Sequence, residues 1–412
     1  MTQASMDMET RPLPAGWKWV KLGEVCDVRD GTHDTPKYVS NGIPLITSKN
    51  LKPSGLDFDN TQDISYEDFL QVSKRSGVEV GDVLFAMIGT IGNPVLVDTD
   101  RPFAIKNVAL FKLQESPIDP RYFVYAMQSY LIGDQVLAGT QGGIQTFVSL
   151  KILRTLNFPL PPLPEQQRIT SILNEQMASV EQARKAAEER LEAAQALPAA
   201  YLREVFPSSE DELPNGWKWV KLDDVATKVV DGTHSSPTNT DSGDYRYITA
   251  KNVKNGKLNL DDLTYVSEEV HSNIFARCNP EKGDLLLTKD GNVGDVAINT
   301  LDEEFSMLSS VALLKFPDDI HNPFVYWALQ SNSFKKQMMD STDGSALRRI
   351  TLNKINNFSI FLPPLEEQKR IASHLDTKLT SVKQTEASIQ QELDAIDAMP
   401  AALLLKAFNG EL

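Results

Sequence analysis

LPAGWKWVKLGEV over residues 13–25 returns as LPNGWKWVKLDDV over 213–225, an offset of 200 in a chain of 412. Outward from this pair, five more segments repeat in the same order. DGTH at 30–33 returns at 231–234, and ITSKNLK at 46–52 returns as ITAKNVK at 248–254. GDVLFAMIGTIG at 81–92 matches GDLLLTKDGNVG at 283–294, and LPPLPEQQRI at 160–169 matches LPPLEEQKRI at 362–371. ALPAAYLREVF at 196–206 matches AMPAALLLKAF at 398–408. One folding unit has therefore been used twice. Residues 60–77 and 131–145 share little with their counterparts 260–279 and 333–347. A repeated frame with divergent loops fits two readers of different ligands; drift in surface loops is the plainer alternative.

Each half begins with about 150 residues of globular pattern. The apolar runs at 83–88 and 284–288 read as buried strands, and the paired Gly89/Gly92 and Gly291/Gly294 as hairpin turns needing positive φ. FVYAMQSYL (123–131) and FVYWALQS (324–331) read as short amphipathic helices. The proline-rich hinges at 159–164 and 362–365 cannot continue a strand or helix, so they launch the long helices that follow. Apolar residues then recur at helical steps: Ile169, Leu173, Val180, Ala187, Leu191 and Ala194 in one run. Ile371, Leu375, Leu379, Val382, Ile389, Leu393 and Ile396 form the other. Each run lasts about four heptads before Pro198 or Pro400. Small alanines in the first seam complement larger residues in the second, favouring a pair within one chain. The expected fold is α+β: two similar mixed α/β domains joined by two long antiparallel helices in a pseudo-twofold coiled-coil spacer. At ~1.5 Å per residue the first helix spans on the order of 50 Å.

Composition sets limits. The formal net charge is −15, hydrophobic residues make up 41% and charged ones 24%, so neither wholesale disorder nor a polycation that coats nucleic acid is indicated. The net charge is −3 over 1–164, −5 over 165–212, −5 over 213–366 and −2 over 367–412. No run approaches the ~18 apolar residues of a membrane span, and the first residues lack the pattern of a secretory signal. Cys26 and Cys278 stand alone, which disfavours a disulfide framework or a cysteine zinc site and fits a cytoplasmic protein.

The motifs GWKWVKL, DGTH, ITSKN/ITAKN, GDxLxxxxGxxG, LPPLxEQ and the closing LPAA/MPAA, in order and twice over, resemble the specificity subunit of type I restriction-modification systems. The likeness runs from about residue 13 to 412. It implies a flexible tail over 1–11, target-recognition domains over 12–164 and 213–366, a central conserved helix over 165–212 and a distal one over 367–412. It further implies a non-catalytic reader of double-stranded DNA with a bipartite site, which recruits two methyltransferase subunits and is joined by restriction/translocase subunits. S-adenosylmethionine, ATP and Mg would belong to those partners, with no cofactor in this chain. The hinge departs slightly from a strict repeat, with Pro164 where the copy has Glu366.

The residues agree as far as they go. No glycine-rich cofactor loop, no Asn/Asp-Pro-Pro-aromatic tetrad and no GxxxxGK[ST] phosphate loop occurs. His33 and His234 each follow an aspartate by three residues, as an acid–base pair would. No third group recurs with them at triad or ligand spacing, so a turn capped by Asp30 or Asp231 is the simpler reading. A duplicated enzyme built on these histidines, or a coiled-coil scaffold without a DNA role, are the rival classes. Of the alternating Trp17/Trp19 and Trp217/Trp219, one of each pair should enter the core.

The repeated Lys49-Asn50 and Lys251-Asn252 suit a shared task such as backbone anchoring. Base readout should fall where the copies differ: Lys74, Arg75, Arg101, Lys106, Gln141 and Gln145 in the first domain. In the second the candidates are Arg246, Lys289, Lys335, Lys336, Arg348 and Arg349. Each otherwise reads as a solvated surface group. If the helices act as a ruler, inserting about four residues, one helical turn, after Leu173 and Leu375 should lengthen the unread gap of the methylation motif. An unchanged gap in the mapped motif would refute the spacer role.

Overall fold

The computed structural model describes residues 12–140, 146–207, 213–342 and 349–412. The expected tail over 1–11 and the candidates Gln141, Gln145 and Arg348 lie outside the described residues. The chain forms two units, Met1–Glu188 with Gln391–Leu412, and Glu189–Gln390.

In the first unit, four antiparallel strands lie in the order Asp27–Asp30, Val108–Lys112, Val83–Ala86 and Gly92–Leu96. Strand periodicity sends alternate side chains to opposite faces. Val83, Phe85, Ala109 and Phe111 pack beneath helices Pro120–Gln128 and Tyr130–Gly139, against Tyr122, Phe123 and Ile132. Leu84, Ala86, Val108 and Leu110 face the other way, onto Ile46, Leu51, Phe103 and Ile105. A second sheet, ordered Ala104–Ile105, Ile43–Ile46, Gln62–Ile64 and Tyr38–Val39, covers that side. Covering both faces explains why these strands read as continuous apolar runs.

The second unit repeats the plan. Lys228–Asp231, Val311–Lys315, Leu285–Thr288 and Val296–Ile298 form the central sheet. Leu285, Leu287 and Leu314 face the helical layer, and Leu286, Val311 and Leu313 face Ile248, Phe305 and Met307. The positive φ expected of the hairpin glycines is present at Gly89, Gly92, Gly291 and Gly294.

The hinges depart from expectation. Pro159 lies inside strand Asn157–Leu160, opposite Trp19 of Lys18–Lys21, and Ser359–Leu362 pairs likewise with Lys218–Lys221. Each sheet has only two strands, so every strand is an edge and proline costs little. Trp17 packs edge-on against Tyr122 and Phe408, and both Trp17 and Trp19 are partly buried against the core, so the expected division into one buried and one exposed ring does not hold here.

The long helices run Leu163–Val205 and Leu365–Asn409, continuing past the apolar runs and straight through Pro198 and Pro400. A proline inside a helix costs about 3 kcal/mol. What offsets it is the burial of the segments beyond. Leu202 and Phe206 enter the core of the second unit, and Leu404, Ala407 and Phe408 that of the first. Within the first unit the helices are antiparallel: Arg168 donates to the Leu412 carbonyl at 3.1 Å. Farther along, Arg184, its pKa raised first by its hydrogen bond to Glu181, also feels Asp397. Within the second unit Lys378 lies 5.6 Å from the ring centre of Tyr201.

Ile169, Leu173, Ile371, Leu375, Val382, Ile389, Leu393 and Ile396 are all buried as the periodicity predicts. Val180 and Leu191 are only partly buried, and the first seam is closed by Ala187 and Ala194 instead. Among the described residues no helix is long and apolar enough to cross a membrane.

The buried glutamine of LPPLxEQ anchors each helix to its domain. Gln166 donates to the carbonyls of Pro117 (3.0 Å) and Pro161 (2.9 Å) and accepts from the Asp119 amide (2.8 Å). Gln368 likewise donates to Pro363 (2.9 Å) and accepts from the His321 amide (2.9 Å). Phe408→Ala should destabilise the first unit by about 3–5 kcal/mol, seen as a lower urea midpoint in tryptophan fluorescence.

Candidate nucleic-acid interface

The DGTH turn owes its glycine to a close backbone approach. A Cβ on Gly31 would sit 2.2 Å from the Ile105 carbonyl oxygen, and one on Gly232 would sit 1.9 Å from that of Met307. The turn therefore hugs the strand behind it and leaves the next residues facing outward. Asp30, at the end of its strand and buried, accepts from His33 Nε2 at 2.9 Å and from the Arg75 guanidinium. His33 Nδ1 meets the Asn107 side-chain oxygen at 2.9 Å.

In the second unit buried Asp231 gathers His234 (3.3 Å), Arg277 (3.4 Å) and Lys289 (3.3 Å). A third group thus does recur with each Asp–His pair. Arg75 and Arg277 stand 202 residues apart, in register with the flanking repeats. Neither carboxylate is spent on backbone caps as expected; each is neutralised by side-chain cations instead.

The Asn107 hydrogen bond, then the one to Asp30, raises the pKa of His33 above its ordinary 6.5. Both ring nitrogens of His33 are held against side-chain oxygens, Asn107 on one side and Asp30 on the other, leaving neither turned toward a substrate, so the acid–base enzyme is not favoured. The thiols of Cys26 and Cys278 are buried and pushed up to about 12 and about 11, so neither is a nucleophile at neutral pH. Among the described residues no three His, Cys, Asp or Glu side chains could hold a metal.

Asn50 and Asn252 are corrected from DNA anchors to structural clamps. Both are buried, and each is the last residue of a 3-10 turn that its side chain closes. Asn50 accepts from the Thr47 amide and hydroxyl, both at 2.9 Å, and donates to the carbonyls of Asp57 (3.1 Å) and Asn60 (3.2 Å). Asn252 makes the same set with Thr249, Asn259 and Asp262. The amide is fully used, and the adjacent lysine is left outside. Lys49 is exposed, and Lys251 is exposed and paired with Asp262 at 3.0 Å.

Lys49 and Lys106 meet in one open cleft of about 630 Å³, with Tyr38, Gln62, Thr90 and Asn107. That lining offers cations, an aromatic ring and amides together, the groups that bind phosphates and base edges. Lys106 contacts the Thr35 hydroxyl. Lys74 is exposed beside Gln71 (2.9 Å), whereas Arg75 is committed to Asp30. Arg101 lies over the Phe58 ring at 4.5 Å. Arg246 pairs with Glu303 at 3.2 Å, and Lys335 and Lys336 are exposed on helix Asn332–Asp340.

Lys289 is the clearest correction. It is 4% exposed, held between Asp231 and Asp290, and cannot reach a base. Arg349, by contrast, is exposed and paired side-on with Asp290. Arg277, Tyr38 and Asn107 were missed. For Arg277 the shared offset was the available signal; for the others only the fold brings them to the site.

A family model described as the type I restriction modification DNA specificity domain matches residues 14–190 and again 214–395. The chain is similar to the EcoBI specificity subunit of Escherichia coli, 21% identical over 96% of this chain and 86% of that one. It is also similar to the MjaVIII specificity subunit of Methanocaldococcus jannaschii, 23% identical over 92% and 90%. Two solved structures share the fold. One chain, from a study of complex assembly and conformational transition of the type I R-M system, has a TM-score of 0.74 at 23% identity. The match covers 98% of this chain and all of that one. The HsdS subunit of Thermoanaerobacter tengcongensis has a TM-score of 0.65 at 22% identity, covering 98% and 99%.

Asn107 has φ of 54°, a conformation glycine also accepts. Asn107→Gly should therefore keep the turn and let the His33 pKa fall back toward 6.5, read by NMR titration of the imidazole. The sign follows from linkage: His33 contributes stability fully below its unfolded value, lost as pH rises through the raised folded one. An unmoved titration would show that the Asn107 contact does not hold the proton.

Proposed function

The chain belongs to the type I restriction-modification DNA specificity family, and on that premise we propose that each domain reads one half of a bipartite duplex target for a methyltransferase complex. The observation that carries this reading is what the two domains keep and what they exchange. Both keep a buried aspartate that holds a histidine and is paired with an arginine, beside a turn that presents a lysine. A constant cation-bearing frame suits the DNA backbone, which is the same at every site. Around it the side chains differ, as base readout requires.

The chain carries −15 overall, so it is poorly equipped to hold DNA by counterion release alone. In this reading two methyltransferase subunits close around the duplex and supply the missing positive charge, and restriction/translocase subunits join for cleavage. S-adenosylmethionine, ATP and Mg sit on those partners, and this chain contributes no catalytic group.

The test is to co-express the chain with its methyltransferase subunit and map modified bases by long-read sequencing. A split motif with adenine methylation on both strands is expected. A continuous motif, or DNA left unmodified by an assembled complex, would overturn the reading.

A further inference from the structure

Next to the GxxG hairpin, each domain carries a short antiparallel bridge whose backbone is the same and whose side chains are not. In the first domain Ile88 opposes Phe147, and the Val148 amide donates to the Met87 carbonyl at 3.0 Å. In the second Asp290 opposes Arg349, and the Ile350 amide donates to the Lys289 carbonyl at 2.8 Å. All four positions correspond at an offset of 202, and Val148 and Ile350 are both fully buried. The frame is therefore anchored identically, and residues directly opposed across an antiparallel bridge share one face.

We infer that this cross-strand pair sets the base preference of each domain, with Arg349 reading a guanine in the second half-site and Ile88/Phe147 making apolar contact in the first. The inference rests on the reading of the chain as a DNA specificity subunit.

Three observations carry it. The first is place: Ile88 lines the polar cleft of the first domain with Lys49, Thr90 and Lys106, and Phe147 across from it is 40% exposed. A large apolar side chain kept at the surface beside cations suits a thymine methyl. The second is geometry. Arg349 Nε and Nη2 donate to the two oxygens of Asp290 at 3.0 and 3.3 Å, which fixes the guanidinium plane, yet the side chain remains 67% exposed. An exposed ion pair adds little stability; an oriented, exposed fork matches guanine O6 and N7.

The third observation is concerted change. Met87 is replaced by Lys289, which lies beneath Asp290 at 3.9 Å, so the carboxylate that orients Arg349 is itself held from the buried side. Lys106, the cation of the first cleft, corresponds to Leu308, as the matching bridges Thr32–Lys106 and Thr233–Leu308 establish. The positive charge has thus moved from the Lys106 position in one domain to the Arg349 position in the other.

The test uses the full chain assembled with its methyltransferase subunits. Binding is competed by duplexes carrying every single-base-pair change in either half-site, for the wild type and for Arg349→Ala. The substitution is at an exposed side chain, and unchanged melting would verify the fold. The expected result is that preference at one G·C position of the second half-site falls by roughly 5- to 100-fold, with the first half-site unaffected. Uniformly weaker binding with every preference retained would overturn the inference, as would a second half-site without a G·C pair. A second variant, Asp290→Ile with Arg349→Phe, transplants the first domain's pair and should lose the same guanine. Retention of that guanine preference by the folded double variant would also overturn it. If the wild-type complex selects no split site, the specificity-subunit reading itself fails. If it selects one and Arg349→Ala leaves each preference intact, only the pair's role fails.

Discussion

A single buried amide in each half fixes how its long helix begins. Gln166 is fully buried and uses both donor and acceptor on backbone groups of three separate residues, Pro117, Asp119 and Pro161. Leaving any of those buried groups unpaired would cost about 1–3 kcal/mol. The clamp therefore ties the loop after the central sheet, the proline hinge and the first helical turn into one piece. Gln368 repeats it with Pro363 and His321. The hinge prolines stiffen the approach, but the glutamine sets the direction in which the helix leaves its domain.

The same economy governs the turn beside the candidate interface. A buried carboxylate is tolerable only when paired, and Asp30 and Asp231 are paired by cations arriving from distant parts of the chain. Those cations are spent on structure. Held outside them are Lys49 beyond its asparagine clamp, Lys106 in the cleft, and Arg349 on the far side of Asp290.

The architecture was legible because it is written twice. Motif order, strand runs and seam positions such as Leu173 and Leu375 all follow from matching the halves. Individual site residues were less so, because a lysine in sequence carries no mark of burial. Lys289 looks like any variable cation until Asp231 and Asp290 are seen to enclose it. Asn50 and Asn252 repeat for a local reason, a closed turn, that resembles a functional one in sequence. Arg277 did keep register with Arg75, but its neighbours had diverged enough to hide the match. Pro198 and Pro400 show the opposite balance: local propensity is overruled by the cores that receive Phe206 and Phe408.

That the first unit is assembled from the two extremes of the chain has a consequence for its synthesis. Tyr130 reaches its hydrogen-bond partner Asn409 across 279 residues, and Arg168 reaches Leu412 across 244. At ~5–20 residues per second, the ribosome finishes residues 1–188 some tens of seconds before it delivers the segment that completes their core. During that interval the apolar floor around Trp17 and Tyr122 stands open to water, and any message or protease that removes the last twenty-odd residues leaves it open for good. The N-terminal unit is thus completed only when residues 391–412 arrive, so loss of that segment would unmake the first domain rather than the second.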